Sequence, residues 1–197
     1  MTQNEMESMQ SQLNTLNTSH WYNHELFTSN WWIILLFNFV LFGLLILLAD
    51  RRRTSTIAVA FLIALAIVGT FDETGTYMGR WIYPYEFLPF SARLNAVNFL
   101  AIPSIIALVY QWFTRWSSFL LATVIYSILN SYIGEPIFVH LGIYKLTNWT
   151  YTGSFLVMLL IPIVVKYLTD VISQNRASNK NDLDLNINWL RRKEKIH

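Results

Sequence analysis

The sequence predicts an all-α integral membrane bundle of about five transmembrane helices, with the N-terminus outside and the C-terminus in the cytoplasm. Hydrophobic residues make up 54% of the 197 residues, and charged residues only 13%, about half the usual share in a soluble domain. Long apolar runs recur along the chain, and nothing alternates as a barrel strand would. Basic residues collect on one side of the resulting topology, which fixes the orientation.

Five segments are long and apolar enough to cross a membrane as helices. They cover approximately residues 31–49, 54–71, 95–113, 116–140 and 154–172. Helices are the default because bare backbone cannot satisfy its hydrogen bonds in lipid. The fourth segment is the most polar. It either continues unbroken to residue 140 or breaks at Gly134–Pro136. Residues 134–153 therefore span the membrane, re-enter it or lie at its interface.

The distribution of basic residues predicts the topology. With the N-terminus outside, 11 of the 14 basic residues lie on the inner side, and Arg80, Arg93 and Lys145 lie outside. Every inner connection is then basic, as the positive-inside rule requires. The chain divides into an extracytoplasmic segment (1–30), a membrane domain (31–172) and a basic cytoplasmic tail (173–197).

The two ends of the chain have different characters. Spacings of three, four or seven residues in the first segment predict an amphipathic helix that lies on the outer surface or pairs with a second copy. Its stripe contains Met6, Met9, Leu13, Leu16, His20 and Phe27. In the tail, Trp189 beside a basic cluster predicts contact with the inner leaflet, with an unstructured, solvated end as the alternative.

Several kinds of chemistry are excluded or disfavoured. The absence of Cys excludes disulfides, thiolate metal sites and cysteine nucleophiles. His20 and His24 beside Glu25 have a spacing suited to zinc, but there is no HExxH arrangement, so no metal site is predicted. No phosphate loop, serine elbow, dinucleotide fingerprint or nucleic-acid patch is present. We therefore predict no cofactor and no nucleic-acid partner.

The two predicted outer connections contain the candidate site. Charges at the edge of a span persist when they are paired, when they face a polar cavity or when they reach the interface. Both connections place carboxylates and aromatic rings there, with Tyr144 and Trp149 adding aromatic surface in the second. We predict a polar, aromatic-lined outer pocket, with these ligand-binding candidates: Arg80, Trp81, Tyr85, Glu86, Arg93, Asn130, Tyr132 and Lys145.

Three residues are candidates for acid–base chemistry: Asp72, Glu135 and His140. Pro136 biases Glu135 away from helical geometry, and a helix broken at a carboxylate often lines a cavity. A buried carboxylate near His140 would share a proton with it. In the structural alternative, Asp72 and Glu73 only end the second helix in water.

Three features together resemble a known family. They are the basic stop at Arg51–Arg53, the acid at the end of the second span before an aromatic loop, and the run 135–145 leading through Trp149 into the last helix. The pattern resembles a family of small multi-pass inner-membrane proteins of Bacillus-type and clostridial bacteria, over most of residues 30–172. No activity is established for that family, so the resemblance implies no catalytic role. It implies five helices and a bacterial cytoplasmic membrane location.

Three functions fit these observations. The first is a non-enzymatic accessory or binding protein that holds a lipid, a small amphiphile or a membrane-protein partner, in the bilayer as a monomer or homo-oligomer. The second is an intramembrane enzyme acting on a lipid or isoprenoid, with Glu135 or Asp72 as general acid or base and His140 as proton partner. The third is a proton-coupled transporter, which would need a dimer because five spans do not form two equal repeats.

Overall fold

The chain folds into helices joined at one end by a short two-stranded ribbon. The structure is a computed structural model that describes residues 2–89 and 99–194, with side chains up to residue 174. Its helices are α1 (Gln3–His20), α2 (Ser29–Leu48), α3 (Thr54–Tyr77), α4 (Ala101–Trp112), α5 (Trp116–Leu129), α6 (Glu135–His140) and α7 (Tyr151–Glu194). Strands β1 (Trp81–Ile82) and β2 (Lys145–Leu146) pair in an antiparallel manner. The predicted all-α class is confirmed.

Four helices in the described part of the chain are long and apolar enough to cross a membrane. They are α2, α3, the continuous helix Trp116–His140 formed by α5 and α6, and the first part of α7, Tyr151–Gln174. The remaining expected span corresponds to α4, which is shorter, and residues 95–98 of that prediction lie outside the described residues. A 12-residue helix is about 18 Å long, less than the ~30 Å of a bilayer core.

Helix α4 forms the centre of the bundle. Most of its side chains are buried, including Ile102, Ile106 and Tyr110. They pack against α3 and α7 in the main apolar core. On α3, Ala60 and Ala64 lie one turn apart and are fully buried, and such small residues let two helices approach closely.

Asn38, near the middle of α2, caps the start of α4. Its Oδ1 accepts hydrogen bonds from the backbone N–H groups of Leu100 and Ala101, each at 3.1 Å. Its Nδ2 donates to the carbonyl of Ile34 at 2.9 Å. The first N–H groups of a helix have no partner inside the helix. The buried Asn38 amide therefore allows α4 to begin about half-way along α2.

One sequence prediction about a helix end is wrong. Helix α3 continues past Phe71 to Tyr77, so Asp72 and Glu73 lie within the helix. Asp72 is only 5% exposed, which contradicts the interpretation that both acids simply end the helix in water. The extension is possible because Asp72 receives hydrogen bonds from the following connection, as described below.

The fourth predicted segment is confirmed as the continuous helix Trp116–His140, so the alternative of a break at Gly134–Pro136 is excluded. Glu135 has helical dihedral angles, φ −57° and ψ −47°. One wide π-helical turn, Asn130–Gly134, precedes it, and the Glu135 N–H donates to the carbonyl of Asn130. Pro136 then falls in the first turn of α6, where a missing N–H is tolerated. Such wide turns are frequent at functional sites.

The two ends of the bundle are chemically distinct. At the basic end, Gln111 at the end of α4 hydrogen-bonds to both Leu48 and Asp50, beside the three arginines 51–53. At the aromatic end, β1 and β2 join the two predicted outer connections, with Trp81 opposite Leu146. The two connections therefore lie at the same end of the bundle.

The terminal segments are helical. Helix α1 confirms the predicted N-terminal helix and begins with a capping box between Thr2 and Glu5. Its predicted stripe is exposed, with Leu16 reaching 64%. Helix α7 continues to Glu194, so the backbone of the predicted tail up to that residue extends the last helix instead of forming an unstructured end.

Candidate functional site

A cavity of about 110 Å³ lies near the aromatic end, between α2, α3, α4, α6 and α7. That volume is enough for several water molecules or a small chemical group. Two carboxylates, Asp72 and Glu135, line it. Seven aromatic rings form most of its walls: Phe37, Phe71, Trp81, Tyr83, Phe138, Tyr144 and Trp149.

The Asp72 carboxylate is held by two donors from the connection that follows α3. Its Oδ1 accepts from the indole Nε1 of Trp81 at 3.1 Å and from the hydroxyl of Tyr83 at 2.6 Å. Burial, and then the nearby Asp72, raise the pKa of Tyr83 well above its ordinary value. Tyr83 therefore stays protonated at neutral pH and keeps donating. These bonds fix residues 81–83 against α3.

Two tryptophans close this end of the cavity. The rings of Trp81 and Trp149 meet edge to face, with centroids 5.3 Å apart. Each indole lies against a glycine, Trp81 on Gly75 of α3 and Trp149 on Gly153 of α7. A larger residue at either position would meet the ring. The two helices thus make room for one tryptophan from each connection.

Glu135 also lines the cavity, and one of its carboxylate oxygens has no hydrogen-bond partner among the described residues. The Trp149 Nε1–H donates to the Ser154 hydroxyl at 3.0 Å. An indole can only donate, so the Ser154 proton remains for the Glu135 carboxylate, with which Ser154 interacts. The Oε2 atom of Glu135 is buried without a hydrogen-bond partner in the described part of the protein. A ligand in the cavity would find an acceptor there.

Tyr144 lies in the electrostatic field of both carboxylates. Its ring centroid is 5.3 Å from that of Tyr83. Burial, followed by the charges of Glu135 and Asp72, raises the pKa of Tyr144. Both phenols therefore stay protonated at neutral pH and can donate hydrogen bonds.

The cavity changes from polar to apolar with depth. On α3, Val68 lies one turn deeper than Asp72. On α7, Met158 and Ile161 lie one and two turns deeper than Ser154. The carboxylates and Ser154 are therefore at the aromatic end, Asn130 lies about one turn deeper than Glu135, and the other described walls toward the bundle core are apolar.

Four of the predicted site residues line this cavity: Asp72, Trp81, Asn130 and Glu135. Five other predicted ligand-binding residues do not line it, namely Arg80, Tyr85, Glu86, Tyr132 and Lys145. The Arg80 guanidinium donates to the Asn148 carbonyl at 3.3 Å. Tyr132 is exposed, and its hydroxyl donates to Thr152 at 3.2 Å. Arg93 lies outside the described residues.

The expected pairing of Glu135 with His140 does not form. His140 is exposed and does not line the cavity. Five residues along a helix correspond to about 500°, so the two side chains point roughly 140° apart around the axis. Glu135 has a hydroxyl neighbour, Ser154, instead of an imidazole.

Sequence reasoning did not identify Tyr83, Tyr144 and Ser154 as site residues. The signal for Tyr83 was present, because residues i and i+2 of an extended segment share one face. Trp81 and Tyr83 both face Asp72, while Ile82 between them is exposed. No comparable local signal marks Tyr144 or Ser154.

No arrangement of three His, Asp or Glu suited to a metal ion occurs among the described residues. His20 and His24 stack with ring centroids 5.0 Å apart, and His20 lies 3.5 Å from Glu25. The buried Glu25 carboxylate also accepts from the backbone N–H of Glu86 at 2.6 Å, which joins the end of α1 to the first outer connection.

Comparison of the chain with protein-family models, with curated proteins and with solved structures gave no match.

Proposed function

We propose that this protein is a multi-pass membrane protein that binds a small amphiphilic molecule, such as a lipid, at its aromatic end without transforming it. The observation that supports this is the graded cavity. Asp72, Glu135 and Ser154 lie toward the end of the bundle, and the deeper walls are apolar except for Asn130. An amphiphile has the same division between headgroup and tail.

One wall of the cavity lies at the side of the bundle. Phe37 of α2 lines the cavity and is 37% exposed. Its ring meets that of Phe138 on α6 edge to face at 5.4 Å. These two rings therefore separate the cavity from the side of the bundle, and a hydrocarbon tail would reach the bilayer here by displacing one of them.

The experiment is native mass spectrometry of the protein in mild detergent, with lipid extraction of the same sample. We expect a bound species of defined mass. Val157→Trp should displace it, because Val157 lines the cavity. Leu156→Trp is the matched control, since Leu156 is 53% exposed on the neighbouring face of α7. A bare wild-type protein, or equal loss in both variants, would contradict the proposal.

The proposed topology has five membrane segments, an outside N-terminus and a cytoplasmic C-terminus, in a bacterial cytoplasmic membrane. It is supported by the basic residues, which cluster near the end opposite the cavity, and by the family resemblance of residues 30–172. The chain has no Cys, so single cysteines can be introduced directly. An impermeant maleimide applied to intact cells should label Tyr22→Cys and spare Arg52→Cys. Labelling of Arg52→Cys but not of Tyr22→Cys would show that the topology is the opposite of the one proposed.

A second function is favoured by one observation, the presence of Asp72 and Glu135 in the same cavity. An intramembrane enzyme could use them as acid and base on a lipid or isoprenoid. If the protein is an enzyme, the mass of the bound molecule should change during incubation with a membrane lipid extract. The Glu135→Gln variant should fold but should not produce this change. Binding without any change in mass supports the first function.

A further inference from the structure

We propose that the group held at the polar end of the cavity is an organic ammonium, so that the ligand is a cationic amphiphile or a zwitterionic one with its ammonium innermost. This rests on the proposed function, because it names the chemical class of the molecule that the cavity binds. Three independent features carry it: the unpaired Glu135 oxygen, the aromatic walls, and a second site in the same chain where an ammonium is already held in this way.

The first feature is the charge of the cavity wall. A buried carboxylate is costly unless it is paired or fully hydrogen-bonded. Glu135 forms no ion pair among the residues described, and its Oε2 is buried without a hydrogen-bond partner. No described lining residue is a Lys, Arg or His. A ligand cation would supply the missing counter-charge, whereas a phosphate would face a carboxylate.

The second feature is the set of rings around that carboxylate. Phe138 lies one turn after Glu135 on the same helix, and Trp149 is joined to Glu135 through Ser154. Tyr144 lies within the electrostatic field of Glu135. Aromatic rings attract cations through their negative faces, and cages of such rings recognise quaternary ammonium groups. A neutral or anionic headgroup gains nothing comparable from them.

The third feature is an internal ammonium site at the basic end of the bundle. The Lys166 amine lies 4.9 Å, 5.1 Å and 5.2 Å from the ring centres of Tyr110, Trp116 and Phe119. It is 3.3 Å from the Asp170 carboxylate, and Lys166 is only 3% exposed. Three rings, one carboxylate and the Thr114 carbonyl, which accepts from Nζ at 3.1 Å, thus hold a buried ammonium. The cavity has the same kinds of side chain, but no lysine is among its described lining residues.

The test uses the full-length protein in a neutral detergent and three probes, two of which share one shape and differ in charge. Choline carries a trimethylammonium group, 3,3-dimethyl-1-butanol has the same shape without charge, and octyl phosphate is an anionic amphiphile. Binding is followed by calorimetry and by competition with the natural bound species in native mass spectrometry. We expect choline to bind at least about tenfold more tightly than its neutral isostere, the size of effect that a desolvated cation–aromatic contact beside a carboxylate gives.

The variants locate the site. Glu135→Gln should remove most of the preference for choline, and Glu7→Gln is the matched control because Glu7 is exposed on α1. The comparison of the three probes uses the unmodified protein, so it stands even if Glu135→Gln fails to fold.

The outcomes separate the two proposals. Equal binding of choline and its isostere would overturn the ammonium class and leave amphiphile binding intact. No binding of any probe to a protein that also purifies bare would overturn both. A choline preference that survives in a folded Glu135→Gln variant would place the ammonium site elsewhere and overturn this assignment.

Discussion

The indole of Trp81 fills the space beside Gly75 that any larger side chain would need. The same relationship recurs on α7, where a Cβ at Gly153 would lie 2.9 Å from the Trp149 ring. The two tryptophans come from different connections and contact each other. Since both line the cavity, its walls depend on two residues that have no side chain.

Replacing Gly75 should therefore be costly. In Gly75→Ala, the new methyl group overlaps the Trp81 ring, which has to move away from Asp72. We expect a loss of about 1–3 kcal/mol in the free energy of unfolding, as for other overpacked sites. Gly69→Ala on the same helix is the control, because nothing lies within 4 Å of a Cβ there. Because alanine has a higher helix propensity than glycine, Gly69→Ala should leave the free energy of unfolding unchanged or raise it by up to about 1 kcal/mol.

Thermal unfolding followed by tryptophan fluorescence would measure both variants. Native mass spectrometry would also show less bound ligand for Gly75→Ala than for Gly69→Ala. Equal melting temperatures for the two would mean that Trp81 does not pack on α3 as described.

The Tyr83 hydroxyl should stabilise the fold through Asp72. Tyr83→Phe removes a 2.6 Å hydrogen bond to a buried carboxylate, and such bonds to charged groups contribute about 1.5–3 kcal/mol. Tyr85→Phe is the matched control, because Tyr85 lies outside the cavity. Chemical unfolding in mixed micelles would compare the two. A Tyr85→Phe effect as large as that of Tyr83→Phe would assign the loss to the connection as a whole.

The same tyrosine predicts how stability depends on pH. The folded-state pKa of Tyr83 is raised above its ordinary value of 10.0 by burial and then by Asp72, so the folded protein holds this proton more tightly than the unfolded chain does. The resulting stability is fully present below pH 10 and is lost as pH rises through the folded pKa. Above pH 10, wild type should lose stability more steeply than Tyr83→Phe. Parallel curves of melting temperature against pH would contradict this.

The sequence identified four of the five expected spans among the described residues, but not the end of α3 or all of the residues that line the cavity. Composition and apolar length identify α2, α3 and α7 because lipid selects for those properties alone. The end of α3 was misplaced because a carboxylate usually signals water, and the donors that bury Asp72 come from residues 81 and 83. Glu135 was found because a charge within a span is conspicuous. Its neighbours Tyr144 and Ser154 are brought to it only by tertiary packing.

Asn38 illustrates the same limit and gives a further prediction. A polar residue in the middle of an apolar span carries no sequence sign of its partner, which is the start of α4, 62 residues away. Asn38→Leu would leave the N–H groups of Leu100 and Ala101 without this acceptor. We expect a loss of about 1–3 kcal/mol for each unsatisfied buried group. Asn30→Leu, which breaks an exposed bond to the Leu141 carbonyl, is the control and should cost far less.

Hydrogen exchange would detect the Asn38 effect locally. Amides at the start of α4 should exchange faster in Asn38→Leu than in wild type, while those of α3 stay protected. Unchanged exchange in α4 would show that its first turn is held by other groups.

Lys166 tests whether rings and a carboxylate can stabilise an ammonium in this protein. Lys166→Met keeps much of the volume but removes the charge, the bond to the Thr114 carbonyl at 3.1 Å and the contacts with three rings. Asp170 would retain its bond from the Tyr110 hydroxyl at 2.9 Å but lose its cation. We expect a loss of about 2 kcal/mol or more in unfolding free energy, because removing one partner of a buried pair leaves the other uncompensated. Lys145→Met, at an exposed lysine of β2, should change stability little.

A double-mutant cycle of Lys166→Met with Phe119→Leu isolates the ring contribution, since a coupling energy remains only if ring and ammonium interact. A coupling near zero would remove the internal precedent for the ammonium site, and that proposal would then depend on Glu135 and the cavity rings alone.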